Sequence, residues 1–298
     1  MMESDLSIQR KTEVLLEALP YVQRFRDSIF VVKFGGSFLD TEQAREGVAM
    51  DLAFLATVGI HVIVVHGGGP AINKAMQREG IEPVWKDGLR FTDKATVSIV
   101  ERTLNEEINA GIRSNIEGKG GRPVGIRGQD IFQCERLQRD GSGNPVDLGF
   151  VGKVVGVDAG ALRDRLGEGR LLVVSPVGKD GDGQVYNTNA DTAAAHLAAA
   201  VGARRLVYLC DVPGLLRDPA DPATLISSLS REEVPGLRAA GVIGTGMLPK
   251  VESALYALER GVHRVHLIDG RLPHSVLLEI FTDEGIGTEI VRRTGGEN

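Results

Sequence analysis

Two short apolar runs in this chain each end in adjacent glycines. Ile29-Phe-Val-Val-Lys33-Phe leads into Gly35-Gly36-Ser37, and His61-Val-Ile-Val-Val-His66 leads into Gly67-Gly68-Gly69-Pro70. Backbone without Cβ atoms can approach an anion closely, and a following helix N-terminus adds unpaired N–H donors and partial positive charge. A tight turn alone explains either glycine pair. Two at corresponding strand ends, one beside Lys33, point to a site built to hold phosphate.

Further along, Asn187-Thr-Asn189-Ala-Asp191 precedes an Ala-rich stretch, and Gly244-Thr-Gly246-Met-Leu-Pro-Lys250 places glycines and a lysine at another helix start. Asn189 or Asp191 suits an N-cap, but capping accounts for only one of the three polar residues at alternate positions. A lysine in a first helical turn opposes the helix dipole, so Lys250 is expected to answer to an anionic group. His66 fits a turn histidine whose ring bonds backbone. Gly-Lys occurs at 118–119, 152–153 and 178–179 but never before Ser or Thr, so there is no Walker A loop. Neither glycine turn reads G-x-G-x-x-G, which removes the main support for dinucleotide binding.

The elements that must position these residues alternate. Strands are expected at 29–33, 61–66, 122–127, 171–175, 205–210 and 264–268, with helices at 41–58, 70–79, 93–117, 189–201 and 248–260. That alternation predicts an α/β fold with a mostly parallel sheet and helices on both faces. Asp40 suits an N-cap and Pro70 a first helical position. Residues 139–149 read as a hairpin or excursion, and 178–184 as a loop. Residues 12–26 read as an amphipathic helix kinked at Pro20, docking on a partner subunit or folding back on its own domain.

The chain has 298 residues, 42% hydrophobic and 25% charged, enough for one large α/β domain or two lobes. A net charge of −6 argues against general nucleic-acid binding. Two cysteines, Cys134 and Cys210, without CxxC spacing favour a reduced protein over a disulfide scaffold or zinc site. With no signal-peptide core and no long apolar run, a cytoplasmic location is expected.

Lys33-Phe-Gly-Gly-Ser, His66-Gly-Gly-Gly-Pro, Asp87-Gly-Leu-Arg-Phe-Thr-Asp93, Asn187-Thr-Asn-Ala-Asp191, Cys210-Asp-Val-Pro-Gly-Leu215 and Gly246-Met-Leu-Pro-Lys250 stand in the order of the amino-acid kinase family. The set resembles its N-acetylglutamate kinases over nearly the whole chain. Gly-Leu-Arg-Phe-Thr-Asp is the most discriminating segment. The resemblance implies a three-layer αβα sandwich with a mostly parallel open sheet. It also implies transfer of the ATP γ-phosphoryl group to the side-chain carboxylate of N-acetyl-L-glutamate, a step of arginine biosynthesis. A carboxylate is already a competent nucleophile, so such a site needs alignment and charge stabilisation more than a general base.

Carried over residue by residue, the resemblance makes Lys33 and Lys250 the cations flanking the migrating phosphoryl group, with Asp191 holding both. Gly35, Gly36, Gly68 and Gly69 would offer amides to phosphoryl oxygens and the acceptor carboxylate. Arg90 would hold the substrate α-carboxylate, Asn187 would bind substrate with Asn189 assisting, and Asp211, Val212, Pro213, Gly214 and Leu215 would line the nucleotide. Mg²⁺ would ride on the ATP phosphates and water, with no protein metal site. The implied domains are 1–28 (oligomerisation and regulation), 29–180 (amino-acid substrate) and 181–298 (ATP, with a regulatory tail).

The tail from His266 to Thr288 and the helix around Leu19-Pro20-Tyr21 resemble arginine-inhibited, hexameric members. This implies an arginine effector held by Tyr21, His266, Glu279 and Gly287, with Glu279 bidentate to the guanidinium. One departure is Gly125-Ile-Arg-Gly-Gln-Asp-Ile-Phe-Gln-Cys134, where the family more often has Gly-Leu-Ser-Gly-Lys-Asp-Gly; this leaves room for a shifted acceptor preference. The competing readings are a kinase for another acidic derivative, such as a carrier-linked aminoadipate, and a non-catalytic arginine or nucleotide sensor.

Overall fold

The structure is a computed structural model that describes residues 8–35, 41–86, 88–141, 143–166, 169–244 and 246–292. Gly36, Ser37 and Asp40 therefore lie outside the described residues. In chain order, α1 (Ile8–Phe25) leads into β1 (Ile29–Phe34), α2 (Glu42–Thr57), β2 (His61–His66) and α3 (Gly69–Arg78). A small hairpin of β3 (Trp85–Lys86) and β4 (Leu89–Arg90) precedes α4 (Lys94–Arg102), a π-helical stretch Thr103–Ile108, and α5 (Asn109–Glu117). Then come β5 (Arg122–Ile126), β6 (Phe132–Arg136), β7 (Val151–Val157), α6 (Ala159–Arg163), β8 (Arg170–Val174), β9 (Val177–Lys179) and β10 (Val185–Thr188). The chain closes with α7 (Ala190–Val201), β11 (Arg205–Cys210), β12 (Ser228–Ser230), α8 (Val234–Ala239), α9 (Leu248–Glu259), β13 (Arg264–Asp269), α10 (Ser275–Ile280) and β14 (Thr288–Val291).

Eight strands form one open sheet in the order β12-β14-β13-β11-β1-β2-β8-β5. Pairings are parallel except at β13–β14. Strand alternation divides the core into two layers. Val31, Ile63, Val65, Leu172, Val174, Leu206 and Tyr208 pack with α7 and α9. Phe30, Val32, Phe34, Val62, Val64, Val173 and Val207 pack with α2, α5 and α10. The expected α/β sandwich is observed; the expected strands and helices lie within a residue or two of their bounds, except that α1, expected over 12–26, begins at Ile8.

The differences have physical causes. The helix expected over 93–117 is interrupted by the π-helical turn, whose Leu104 and Ile108 side chains both reach Gly68. A second, closed sheet of β10-β7-β6-β9 was not expected. Its strands contain glycines that mask the apolar alternation, yet closure needs them. A Cβ on Gly152 would meet Tyr186 at 2.6 Å, and one on Gly178 would meet Cys134 Sγ at 2.1 Å. The turn-rich stretch 139–149 closes as a hairpin through the Arg139–Pro145 bridge, while of the loop expected over 178–184 the first two residues end β9 and only 180–184 form the turn to β10. The edge strand β12, its neighbour β14 and the β3–β4 hairpin are too short to carry a period.

Candidate functional site

β1 buries Val31 against the α7 and α9 layer, so alternation turns Lys33 toward the same layer. There α7 begins at Ala190 with Asn189 as N-cap, whose Oδ1 accepts from the backbone N–H of Asp191 and Thr192. Asp191 in that first turn complements the helix dipole. Its Oδ1 is 2.7 Å from Lys33 Nζ, and its Oδ2 accepts from Lys250 Nζ at 2.7 Å. Lys250 sits in the first turn of α9, so the dipole cost noted in the sequence is met by a buried carboxylate. Burial works against charge on both groups. The two lysines nevertheless hold the Asp191 carboxyl below its usual range, and Asp191 holds the Lys250 ammonium above its own. Tyr208, in register with Lys33 on β11, donates from its buried hydroxyl to the Asp191 carbonyl at 3.1 Å. Cys210 nearby is buried and its thiol is pushed up to about 12, leaving it unreactive.

The two glycine turns meet directly. Gly67 N–H donates to Phe34 O at 2.8 Å, and a Cβ on Gly35 would lie 2.8 Å from the Gly67 backbone. Beside them opens a cleft of about 220 Å³ lined by Lys33, Gly67, Gly68, Gly69, Asn187, Asn189 and Asp191, with Arg90 on its wall.

Arg90 is 5% exposed, and the described residues offer it no carboxylate. Its guanidinium donates to Met76 Sδ at 3.2 Å and Gly69 O at 3.3 Å, while burial lowers its pKa. Trp85, directly opposite Arg90 in the hairpin register, places its ring 4.5 Å from the guanidinium carbon. A buried cation held by weak acceptors at a cleft wall is a ready receptor for a carboxylate. Asn187 donates to Thr92 Oγ1 at 3.3 Å and lines the same cleft.

Sequence reasoning missed Trp85 and Tyr208. Trp85 had one signal, being the only tryptophan, five residues before Arg90. Tyr208 had none, because in sequence it is an ordinary strand residue.

His66 falls on the opposite sheet face, by the same alternation that places Val62 and Val64 there. Its Nδ1 is 3.1 Å from Gly67 O and its Nε2 is 3.4 Å from Asn109 Nδ2, an arrangement that fits a neutral ring donating from Nδ1. Burial pushes its pKa down to about 4. The backbone-bonding histidine foreseen in the sequence is what the geometry contains. The atypical 125–134 segment supports the cleft from outside: Gly128 N–H donates to Ser175 Oγ at 2.9 Å, and Arg127 and Gln129 bond Glu101.

Asp211 to Leu215 follow β11. Asp211 is exposed, whereas Gly214 and Leu215 are buried against β14, with Leu215 N–H donating to Thr288 Oγ1 at 2.8 Å. Gly214 has φ +150°, and a Cβ there would meet Thr288 Oγ1 at 2.6 Å. These two therefore shape the loop rather than present side chains at its surface. Among the described residues no cluster of three or more His, Cys, Asp or Glu could hold a metal ion.

Tyr21, His266, Glu279 and Gly287 come together in a second cavity of about 650 Å³ between α1, β13, α10 and the approach to β14. Glu279 Oε1 is 2.6 Å from His266 Nδ1, and Oε2 accepts from the Ile286 and Gly287 N–H groups at 2.7 and 3.0 Å. Burial opposes its ionisation, but these donors hold its pKa below the usual range. Both oxygens are thus engaged, and a bidentate guanidinium would have to displace a donor. Tyr21 donates to Asp283 Oδ1, and His266 Nε2 is buried with no partner among the described residues.

Residues 28–269 match the amino acid kinase family. An acetylglutamate kinase of Heliobacterium modesticaldum is 44% identical over 294 residues, covering 96% of this chain and all of the relative. One of Akkermansia muciniphila is 46% identical over 288 residues, covering 95% and 96%. Among solved structures, N-acetylglutamate synthase from Neisseria gonorrhoeae, complexed with coenzyme A and N-acetyl-glutamate, superposes with a TM-score of 0.83 at 26% identity. That match covers 95% of this chain and 64% of the synthase, so the chain spans less than two thirds of it. Matching along nearly its whole length, the chain belongs to the amino acid kinase family and groups there with the acetylglutamate kinases.

Proposed function

We propose that this protein transfers the γ-phosphoryl group of ATP to the side-chain carboxylate of N-acetyl-L-glutamate, forming an acyl phosphate in arginine biosynthesis. The observation that carries this reading is the Lys33–Asp191–Lys250 bridge at one side of a cleft whose wall holds the Arg90 guanidinium, which has no carboxylate partner among the described residues. Phosphoryl transfer needs in-line placement and neutralisation of charge on the migrating group. Two ammonium groups fixed by one carboxylate supply the second without proton transfer. The Gly35, Gly68 and Gly69 amides would hold phosphoryl and acceptor oxygens, and Arg90 with Asn187 would fix the other end of the substrate. The division into an amino-acid half (29–180) and a nucleotide half (181–298), with Asp211–Leu215 beside the nucleotide, goes with this reading.

The described side chains offer no carboxylate cage for Mg²⁺. A cation arriving on the ATP phosphates is compatible with this, and no step is assigned to it here. A hydroxamate assay of the acyl phosphate, run on N-acetylglutamate and on aminoadipate derivatives, tests the reading. Turnover of N-acetylglutamate is expected, and its absence refutes the assignment.

The larger cavity supports a finer reading, feedback inhibition by arginine. Glu279, Asp283 and Glu284 give it anionic groups for a guanidinium, and Tyr21 closes it from α1. Leu15, Leu16 and Leu19 leave an apolar stripe of α1 exposed, which suits linkage of dimers into a hexamer. Inhibition by millimolar arginine, lost in Glu279→Gln, is the expected result; equal inhibition of both proteins refutes it.

A further inference from the structure

We propose that Trp85 is a specificity-determining residue of the acceptor site. It selects an N-acylated amino acid over the free amino acid by stacking on Arg90. The inference rests on the phosphoryl-transfer reading above and adds what distinguishes the accepted substrate from its unacylated form.

Trp85 is half exposed, at 52%, on a strand of two residues, and the core does not require an indole there. The hairpin register sets it directly across from Arg90, whose guanidinium carbon lies over the indole, 4.5 Å from the ring centroid. A stacked guanidinium is held in plane and can meet an anion only along its N–H edges, which suits a carboxylate arriving from the cleft. Trp85 itself lines that cleft, where Ile72, Leu89, Leu104 and Val151 complete an apolar wall.

These surroundings discriminate by charge. A carboxylate held on Arg90 brings its own α-nitrogen within a few bonds of the guanidinium and the indole. A free α-ammonium there would lose hydration beside a buried cation and an apolar wall, a cost that the Asn187 amide lining the same cleft offsets only in part. An acylated nitrogen is neutral, and its acyl carbons can lie against the ring and the aliphatic side chains. The site thus penalises the wrong substrate as well as favouring the right one.

Trp85 is the only tryptophan in the chain, so its emission reads the site directly. Titrating the full-length protein with N-acetylglutamate should give a saturable change in emission. Kinetics on Trp85→Ala should show KM for N-acetylglutamate rising about tenfold or more, with the loss falling mainly on KM. The KM for ATP should hold, and the kcat/KM preference over free glutamate should narrow. Trp85→Phe should recover most of the affinity and the preference, since any aromatic face can stack. Unchanged KM in Trp85→Ala, an unchanged preference over glutamate, or an equal rise in KM for ATP would overturn the proposal. Wild-type turnover of N-acetylglutamate with no emission change also overturns it. A wild type that turns over no N-acetylglutamate defeats the phosphoryl-transfer reading, an outcome distinct from any of these.

Discussion

Lys33, at the end of β1, and Lys250, in the first turn of α9, each lie 2.7 Å from opposite oxygens of the same carboxylate, that of Asp191. One buried anion therefore fixes two cations delivered by distant parts of the chain. The group retains net positive charge, which suits it to meet an anion that neither lysine could hold alone in that position.

Replacing either lysine by alanine should lower turnover by about 10²–10³, the cost of one preorganised transition-state donor. KM should change less than kcat in both, since the charge they stabilise develops in transfer. Steady-state kinetics on Lys33→Ala and Lys250→Ala check this, and a near-normal rate would remove that lysine from the transfer step.

Asp191→Asn should cost both activity and stability. It leaves two largely buried ammonium groups without their counter-charge, and breaking a buried pair in this way costs about 3 kcal/mol or more. Urea unfolding at pH 7 measures it. A stability within about 0.5 kcal/mol of wild type would show that water already shields the pair.

Stability should fall in two windows as pH is lowered. His66 has a folded pKa of about 4 against 6.5 unfolded, so between those values the unfolded chain binds the proton that the folded one refuses. Stability therefore drops as pH falls from 6.5 to about 4, on the order of 3 kcal/mol for a fully buried ring. His196, also lowered to about 4 by burial and by Arg260 and Lys153, acts in the same direction. Asp191, with its pKa depressed in the folded state, contributes stability above the ordinary carboxylate range and loses it as pH falls through the folded value. His66→Gln should make the first window shallower, leaving the His196 share, and should leave the second unchanged, as read by urea midpoints from pH 7.5 to 3.

Gly35 and Gly69 should differ as sites for alanine. A Cβ at Gly35 would meet Gly67 backbone at 2.8 Å, whereas nothing lies within 4 Å of one at Gly69. Backbone cannot rotate aside, so Gly35→Ala should lower the melting temperature by several degrees, with Gly69→Ala close to wild type. Thermal unfolding of the two variants decides it.

The α1 stripe offers a test of assembly. Removing residues 1–26 would also delete Phe25, which is core and packs its ring 5.3 Å from Phe30. A cleaner change is Leu16→Glu with Leu19→Glu, which leaves Tyr21 and Phe25 in place. Light scattering should show a smaller assembly and kinetics a weaker response to arginine, with catalysis retained. An unchanged mass would refute the linking role.

The sequence by itself determined the strand–helix alternation and the residues able to bind anions, because both are written in local patterns: β-branched runs, adjacent glycines, caps and isolated cations. Because both sheet faces are buried, the strand period of two fixed only that Lys33 shares a face with Val31 and His66 with Val62 and Val64, not which helix layer each face meets. The sequence could not reveal the closed β6–β10 sheet, whose glycines break the period for packing reasons visible only between strands. Local pattern also left open whether Asn189 or Asp191 caps α7, and only the family resemblance gave Asp191 to the two lysines. The tertiary structure decided that, by bringing β1 and α9 to the same helix start, where Asn189 takes the free N–H groups and the carboxylate of Asp191 is left to the two ammonium ions. Trp85 belongs to what only the tertiary structure decided: its two-residue strand carries no periodic signal, and the cross-strand register alone makes it the face on which Arg90 lies.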